Sequence, residues 1–224
     1  MIKKLELYTN DISKIERFYK KVLGFEVITR SKDEISFKIE FKSSILTFKK
    51  TDKKISQNHF AFNIPRDKLY EYYNNYHQKL LWLQNEDKDI VDLVCWDEKA
   101  LYFLDCDNNL LEFITRKNVK DIMIGEVAIV LRQVKQKIES ISRTLNIDLY
   151  KKECTNTNFY SLGDIEGLLL FIEKGKKLFP TDIVAKTTDL KIVYEVDEKQ
   201  YILEVKNEKF IVMNKGTIIE VFEI

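Results

Sequence analysis

The chain has few residues of the kind that carry metal and redox chemistry. Histidine occurs twice in 224 residues, at His59 and His77. Cysteine occurs three times, at Cys95, Cys106 and Cys154, with no C-x-x-C spacing and an odd count, which argues against a zinc knuckle or a disulfide framework. No histidine or basic cluster adjoins a cysteine in sequence, so an activated thiol is not indicated. A reducing cytoplasm is the expected compartment. Charge of one sign is also missing. Thirty-seven basic residues meet 36 acidic ones for a net +1, and no basic block marks a nucleic-acid footprint. The lysine-rich stretches "KKTDKK" (49–54) and "EKGKKLF" (173–179) read as solvated turns. No apolar run approaches the length of a membrane span. The opening "MIKKLELYTND" turns polar too early for a signal peptide.

What the chain does have is a repeat. With 45% hydrophobic residues it can bury a substantial core, and its length suits one large domain or two small ones. "KLELYTNDISKIERFYKKVLGFEV" begins at Lys4, "HFAFNIPRDKLYEYYNNYHQKLLWL" at His59 and "EVAIVLRQVKQKIESISRTLNIDLY" at Glu126. Each reads as an alternating strand, a turn, an amphipathic helix and a further strand. The expected helices run over about 11–23, 66–79 and 133–145, by 3.6-residue apolar spacing. The first buries Ile12, Ile15, Phe18, Tyr19 and Val22, with Asp11 or Ser13 as its cap and Gly24 as its left-handed end. The second buries Leu69, Tyr72, Tyr73 and Tyr76, and the third Val134, Ile138, Ile141 and Leu145. Further strands follow each helix: "ISFKIEF" and "ILTFKK", "ALYFLDC" and "LLEFITR", "NFYSLGD" and "GLLLFIEK". "DCDNN" and "GDIEG" are hairpin turns. Residues 187–224 offer four strands and no helix, consistent with a fourth unit that has lost its helix.

The units resemble those of the vicinal oxygen chelate superfamily, which includes glyoxalase I, extradiol dioxygenases and the fosfomycin- and bleomycin-resistance proteins. "LYTNDISKIERFYKKVLGFEV" is similar to its opening pattern and "LYFLDCDNNLLEF" to its closing hairpin. Cys106 stands for the usual proline there, and Asn108 or Asn109 for the usual glycine. The resemblance implies an α+β fold of repeated β-α-β-β-β units on curved mixed sheets. The expected division is a first domain over 1–118, with units 4–50 and 58–116 sharing one sheet, and a second over 119–224.

The resemblance also implies where a metal would sit, on the first and last strands of paired units. Those positions fall on His59 and Glu112 in the second unit, Lys4 and Thr47 in the first, and Glu126 and Leu170 in the third. His59 and Glu112 are therefore the implied metal ligands. Glu6, on the same strand face as Lys4, is a candidate third ligand or ligand-binding residue. A catalytic zinc needs about three protein ligands, and an iron facial triad needs two histidines, which His77 on a helix does not supply. Trp96 and Tyr102, apolar faces with a polar edge, are candidate ligand-binding residues. The implied cofactor is a divalent ion (zinc, nickel, manganese or iron), with no metal an equal alternative. The implied activity is a metal-assisted lyase, isomerase or dioxygenase, and the alternative is a metal-free small-molecule binder of the resistance type. No catalytic residue is assigned. The expected partner is a small molecule, with neither nucleic acid nor membrane, in a monomer or homodimer from an AT-rich bacterial genome.

Overall fold

A computed structural model of the chain describes residues 1–39, 44–150 and 159–224; Glu40, Phe41, Cys154 and Asn158 lie outside the described residues. The first unit comprises β1 (Ile2–Thr9), α1 (Ile12–Glu16), β2 (Glu26–Arg30), β3 (Glu34–Ile39) and β4 (Ser44–Lys50). Asp11 caps α1, accepting from the backbone N–H groups of Ser13 (2.9 Å) and Lys14 (3.1 Å). The helix continues as a π-helical segment, Arg17–Val22, and ends at Gly24 with φ +81°. The second unit runs β5 (His59–Pro65), α2 (Leu69–Tyr76), β6 (Trp82–Leu83), β7 (Ile90–Leu93), β8 (Glu98–Leu104) and β9 (Leu110–Arg116). The third contains β10 (Met123–Leu131), α3 (Val134–Leu145), β11 (Phe159–Asp164) and β12 (Gly167–Glu173). The fourth is β13 (Leu190–Val196), β14 (Lys199–Lys206), β15 (Lys209–Asn214) and β16 (Thr217–Glu223).

The helices follow the expected apolar faces to different depths. Val134, Ile138, Ile141 and Leu145 of α3 are all buried. In α2 only Leu69 is buried outright, and the three tyrosines lie half-buried against the core.

Among the described residues the strands form two eight-stranded mixed sheets, so the fold is α+β as expected. Sheet A runs β16-β15-β14-β13-β1-β4-β3-β2. Sheet B runs β11-β12-β10-β5-β9-β8-β6, with β7 also on β8. The pairing of units differs from the expectation. The first unit shares its sheet with the fourth, through antiparallel β1 and β13, and the second with the third, through antiparallel β5 and β10. Sheet B therefore crosses the expected 118/119 boundary. Local periodicity specifies which face of a strand is apolar, but not which distant strand it joins.

Where a unit keeps its helix, first and last strands pair in parallel, as β1 with β4, β5 with β9 and β10 with β12. Parallel neighbours need a long crossover, and the helix supplies it. The fourth unit has none, so its strands follow one another as an antiparallel meander. Its three turns, Asp197-Glu198, Asn207-Glu208 and Lys215-Gly216, each place two successive residues at positive φ, the mirror-image turn that matches strand twist.

The apolar faces of both sheets, with α1 and α3, close one core. Leu5, Phe37, Phe48 and Ile192 of sheet A join Phe60, Phe62, Phe113 and Phe171 of sheet B in a single buried cluster. The opposite face of sheet B carries a second, smaller cluster around Ala61, Tyr102, Ile114 and Leu170. That face forms a cup. Residues 174–189, which link β12 to β13, cross it, with Leu178 and Ala185 buried against it.

Candidate functional site

The cup of sheet B encloses a cavity of about 440 Å³. Its floor is set by register. Opposite residues on successive strands run Tyr102 (β8), Glu112 (β9), Ala61 (β5), Glu126 (β10) and Leu168 (β12). Ala61 has almost no side chain, so the two glutamates stand over a gap on either side of it. His59, two residues before Ala61, shares that face. Glu126 reaches the cup through a bulge. Ile124 pairs with Phe62 and Glu126 with Ala61, leaving Gly125 unpaired. The core-facing phase changes there, from Ile122 and Ile124 to Val127, Ile129 and Leu131.

His59, Glu112 and Glu126 are buried. The Nδ1 of His59 lies 3.0 Å from the Leu110 carbonyl oxygen, which can only accept, so Nδ1 carries the proton and donates. Its Nε2 then presents a lone pair, 3.8 Å from Glu112 Oε1. Burial lowers the pKa of His59 and favours the neutral ring, against the pull of the Leu110 carbonyl and Glu126. Burial raises Glu112 to about 7, opposed by the Tyr102 hydrogen bond and by Arg116. Its Oε2 has no hydrogen-bond partner. Glu126 is also raised to about 7 by burial, with Arg116 opposing and Glu112 reinforcing the shift.

The buried cation beside this floor is Arg116, which is 1% exposed. It pairs with Glu126 through Nη2, and its guanidinium carbon lies 5.3 Å from the centre of the Trp96 ring. Trp96, Phe159, Leu178 and Phe179 form the walls of the cavity, and Lys177 stands at its rim, paired with Asp182 at 2.6 Å.

Four of the residues singled out in the sequence, His59, Glu112, Trp96 and Tyr102, line this one cavity. Glu6 does not. It lies in sheet A, held by Lys49 at 2.9 Å and Lys4 at 3.5 Å. Its face was placed as expected, but its strand joins the fourth unit rather than the second, so it is not a third ligand for His59 and Glu112. Glu126 enters the sequence reading only as a third-unit position implied by the resemblance, and Arg116 does not enter it as a site residue. Arg116, the last residue of the expected strand "LLEFITR", is a same-face neighbour of Glu112, four residues on, but its residue type alone does not mark it as part of a site. Phe159 enters the sequence reading only as part of the strand "NFYSLGD", and Phe179 only as the end of the turn "EKGKKLF".

The donor set does not fit the divalent metal that the fold suggests. Among the described residues no three His, Cys, Asp or Glu side chains converge on a point that could hold an ion. Of the four implied ligand positions in the paired second and third units, Leu170 has no donor atom and Glu126 is engaged by Arg116. A divalent ion there would also face a buried guanidinium of like charge.

In the closing hairpin, Asn108 takes the left-handed conformation (φ +63°) of the usual glycine. Asp105 accepts from the backbone N–H groups of Asp107 and Asn109 and from the Tyr19 hydroxyl at 2.6 Å, which ties this turn to the first unit's helix.

No family profile matches the sequence, and no curated protein matches it. Solved structures do. A Bacillus subtilis protein named as a candidate dioxygenase superposes with a TM-score of 0.63 at 14% identity, covering 99% of this chain and 83% of its own. Lactoylglutathione lyase of Agrobacterium tumefaciens covers 51% of this chain and 92% of its own, at 17% identity and a TM-score of 0.43. The fosfomycin-resistance protein FosX of Mesorhizobium loti covers 53% and 92%, at 18% and 0.38. The chain therefore has the fold of the Bacillus subtilis protein, a glyoxalase-like fold with two sheets built from four units.

Proposed function

We propose that this chain binds a small organic molecule in the cup of sheet B, and does so without a divalent metal. The observation that carries the reading is the ion pair between Arg116 and Glu126. Where the fold would place a metal against acidic side chains, a guanidinium supplies the positive charge. A cavity of this size with aromatic walls and a few convergent polar groups is what a small-molecule site requires. His59, Glu112 and Tyr102 would orient the ligand, and Trp96, Phe159 and Phe179 would cover it.

The test is elemental analysis of the purified protein together with thermal unfolding in the presence of chelator and of added zinc, nickel, manganese or iron. The expected result is well under 0.1 equivalent of metal per chain, by the reasoning that a two-donor site is weak, and a melting temperature indifferent to every addition. A stoichiometric metal that His59→Ala or Glu112→Ala removes would replace this reading by a metal-dependent one.

A further inference from the structure

We propose that the cup of sheet B selects an organic cation, an amine or amidine whose N–H groups meet Glu112 and His59 and whose apolar body lies between Trp96, Phe159 and Phe179. The inference rests on the reading of this cup as a small-molecule site and goes on to say what the site takes.

The hydrogen-bonding capacity of the floor is one-sided. His59 spends its N–H on the Leu110 carbonyl, so Nε2 can only accept. Glu112, 3% exposed and lining the cavity, keeps Oε2 without a partner. The Tyr102 hydroxyl, the donor nearest by register, is already bonded to Glu112. A ligand offering only acceptors would leave these groups facing acceptors, and burial makes such a mismatch costly.

The charges point the same way. Arg116 spends Nη2 on Glu126, and although its Nε and Nη1 have no hydrogen-bond partner, Arg116 is not among the residues that line the cavity. Lys177 is committed to Asp182 and is largely solvent-exposed. Among the described residues Glu112 has one ion-pair partner, His59, whose ring carries no charge in its neutral form, and Arg116 acts on it only from beyond ion-pair distance. A bound ammonium or amidinium would supply the counter-charge Glu112 lacks, through a charge-assisted hydrogen bond. At pH 8, above the range in which Glu112 and Glu126 titrate, an anion would meet two carboxylates, one of them paired with Arg116, and an imidazole lone pair. A volume of about 440 Å³ suits a body of one or two rings.

The experiment compares three probes of nearly the same shape on the full chain at pH 8, where Glu112 is ionised: benzamidine (cation), benzamide (neutral) and benzoate (anion). Binding is followed by calorimetry and by the indole N–H resonance of Trp96, assigned with Trp82→Phe. Benzamidine should bind at least about tenfold more tightly than benzamide, the gain expected of one charge-assisted hydrogen bond, with benzoate weakest. Glu112→Gln should shrink the benzamidine advantage over benzamide to about threefold or less. If Glu112→Gln does not fold, the ranking of the three probes on the wild type decides alone. Equal binding of all three, or a preference for benzoate, would overturn the cation assignment and leave the cup as a small-molecule site. Absence of any effect of the three on Trp96 would overturn the assignment and count against the cup reading as well.

Discussion

Arg116 is the residue on which the site turns. It is large, charged and 1% exposed, and its side chain is paired with Glu126. Removing one partner of a buried pair leaves the other as an uncompensated charge, which typically costs about 3–5 kcal/mol. Arg116→Leu should therefore destabilise the protein by that order at pH 8. Arg116→Leu combined with Glu126→Leu should recover most of the loss, as read by urea unfolding. A single variant as stable as the wild type would show that Glu126 is not held by this pair. A second expectation concerns pH. Glu112 and Glu126 titrate near 7 in the folded chain against about 4.5 when unfolded, both through burial. The folded state therefore holds their protons more tightly than the unfolded chain does. That contribution is complete below about pH 4.5 and is lost as pH rises through about 7, at most on the order of 3 kcal/mol per group. Unfolding free energies measured at pH 5, 6, 7 and 8 should fall steadily. Glu112→Gln should flatten the curve by about half, and an unchanged slope would place the titration elsewhere. The sequence showed the residue types here but not their state. That His59 and Glu112 share a face followed from their strand positions; that the guanidinium of Arg116 meets Glu126 depends on β10 lying beside β5, a pairing that no local pattern specifies.

At the level of elements, the bulge at Gly125 decides which face Glu126 occupies. A Cβ built on Gly125 would lie 2.0 Å from Asn63 Oδ1 and 2.1 Å from Asn63 Cγ, so any larger residue forces that side chain to move. Asn63 is tethered by its own bond to the Ile165 carbonyl at 2.6 Å. Gly125→Ala should cost about 1–3 kcal/mol, the usual range for overpacking. It should also disturb probe binding in the cup, because Glu126 follows directly. Adding Asn63→Ala should relieve part of the stability loss; strict additivity of the two changes would rule out the clash. Legibility varied among the elements for a physical reason. The face of α3 could be read residue by residue because burial and helix period agree at four successive contacts. The π-helical stretch Arg17–Val22 was not legible, since its apolar residues recur at intervals an α-helix also satisfies. The meander of the fourth unit was legible as strands, and its order follows once the missing helix is recognised as a missing crossover.

For the whole molecule, the partnering of units was beyond the sequence. Ile2 lies opposite Tyr194, and no local pattern encodes a pairing over that separation. All four units carry similar strands, so several pairings would satisfy the same alternation. The consequence for stability is measurable. Both sheets contribute to one apolar core, with Tyr19 of the first unit bonded to Asp105 of the second. Calorimetry should show one transition, with calorimetric and van't Hoff enthalpies equal, as expected of a cooperative unit. Two resolved transitions would support separate domains divided near residue 118. The nesting of units two and three inside one and four also sets an order of events in time. During synthesis, β5 to β12 can find all their sheet partners within one contiguous stretch. By contrast β1, made first, waits for β13 with an open edge, and every later residue lengthens the loop it must close. The earliest-made unit is thus the last to be completed, and for most of its synthesis the chain exposes an unpaired strand of the sort on which chaperones act and aggregates grow.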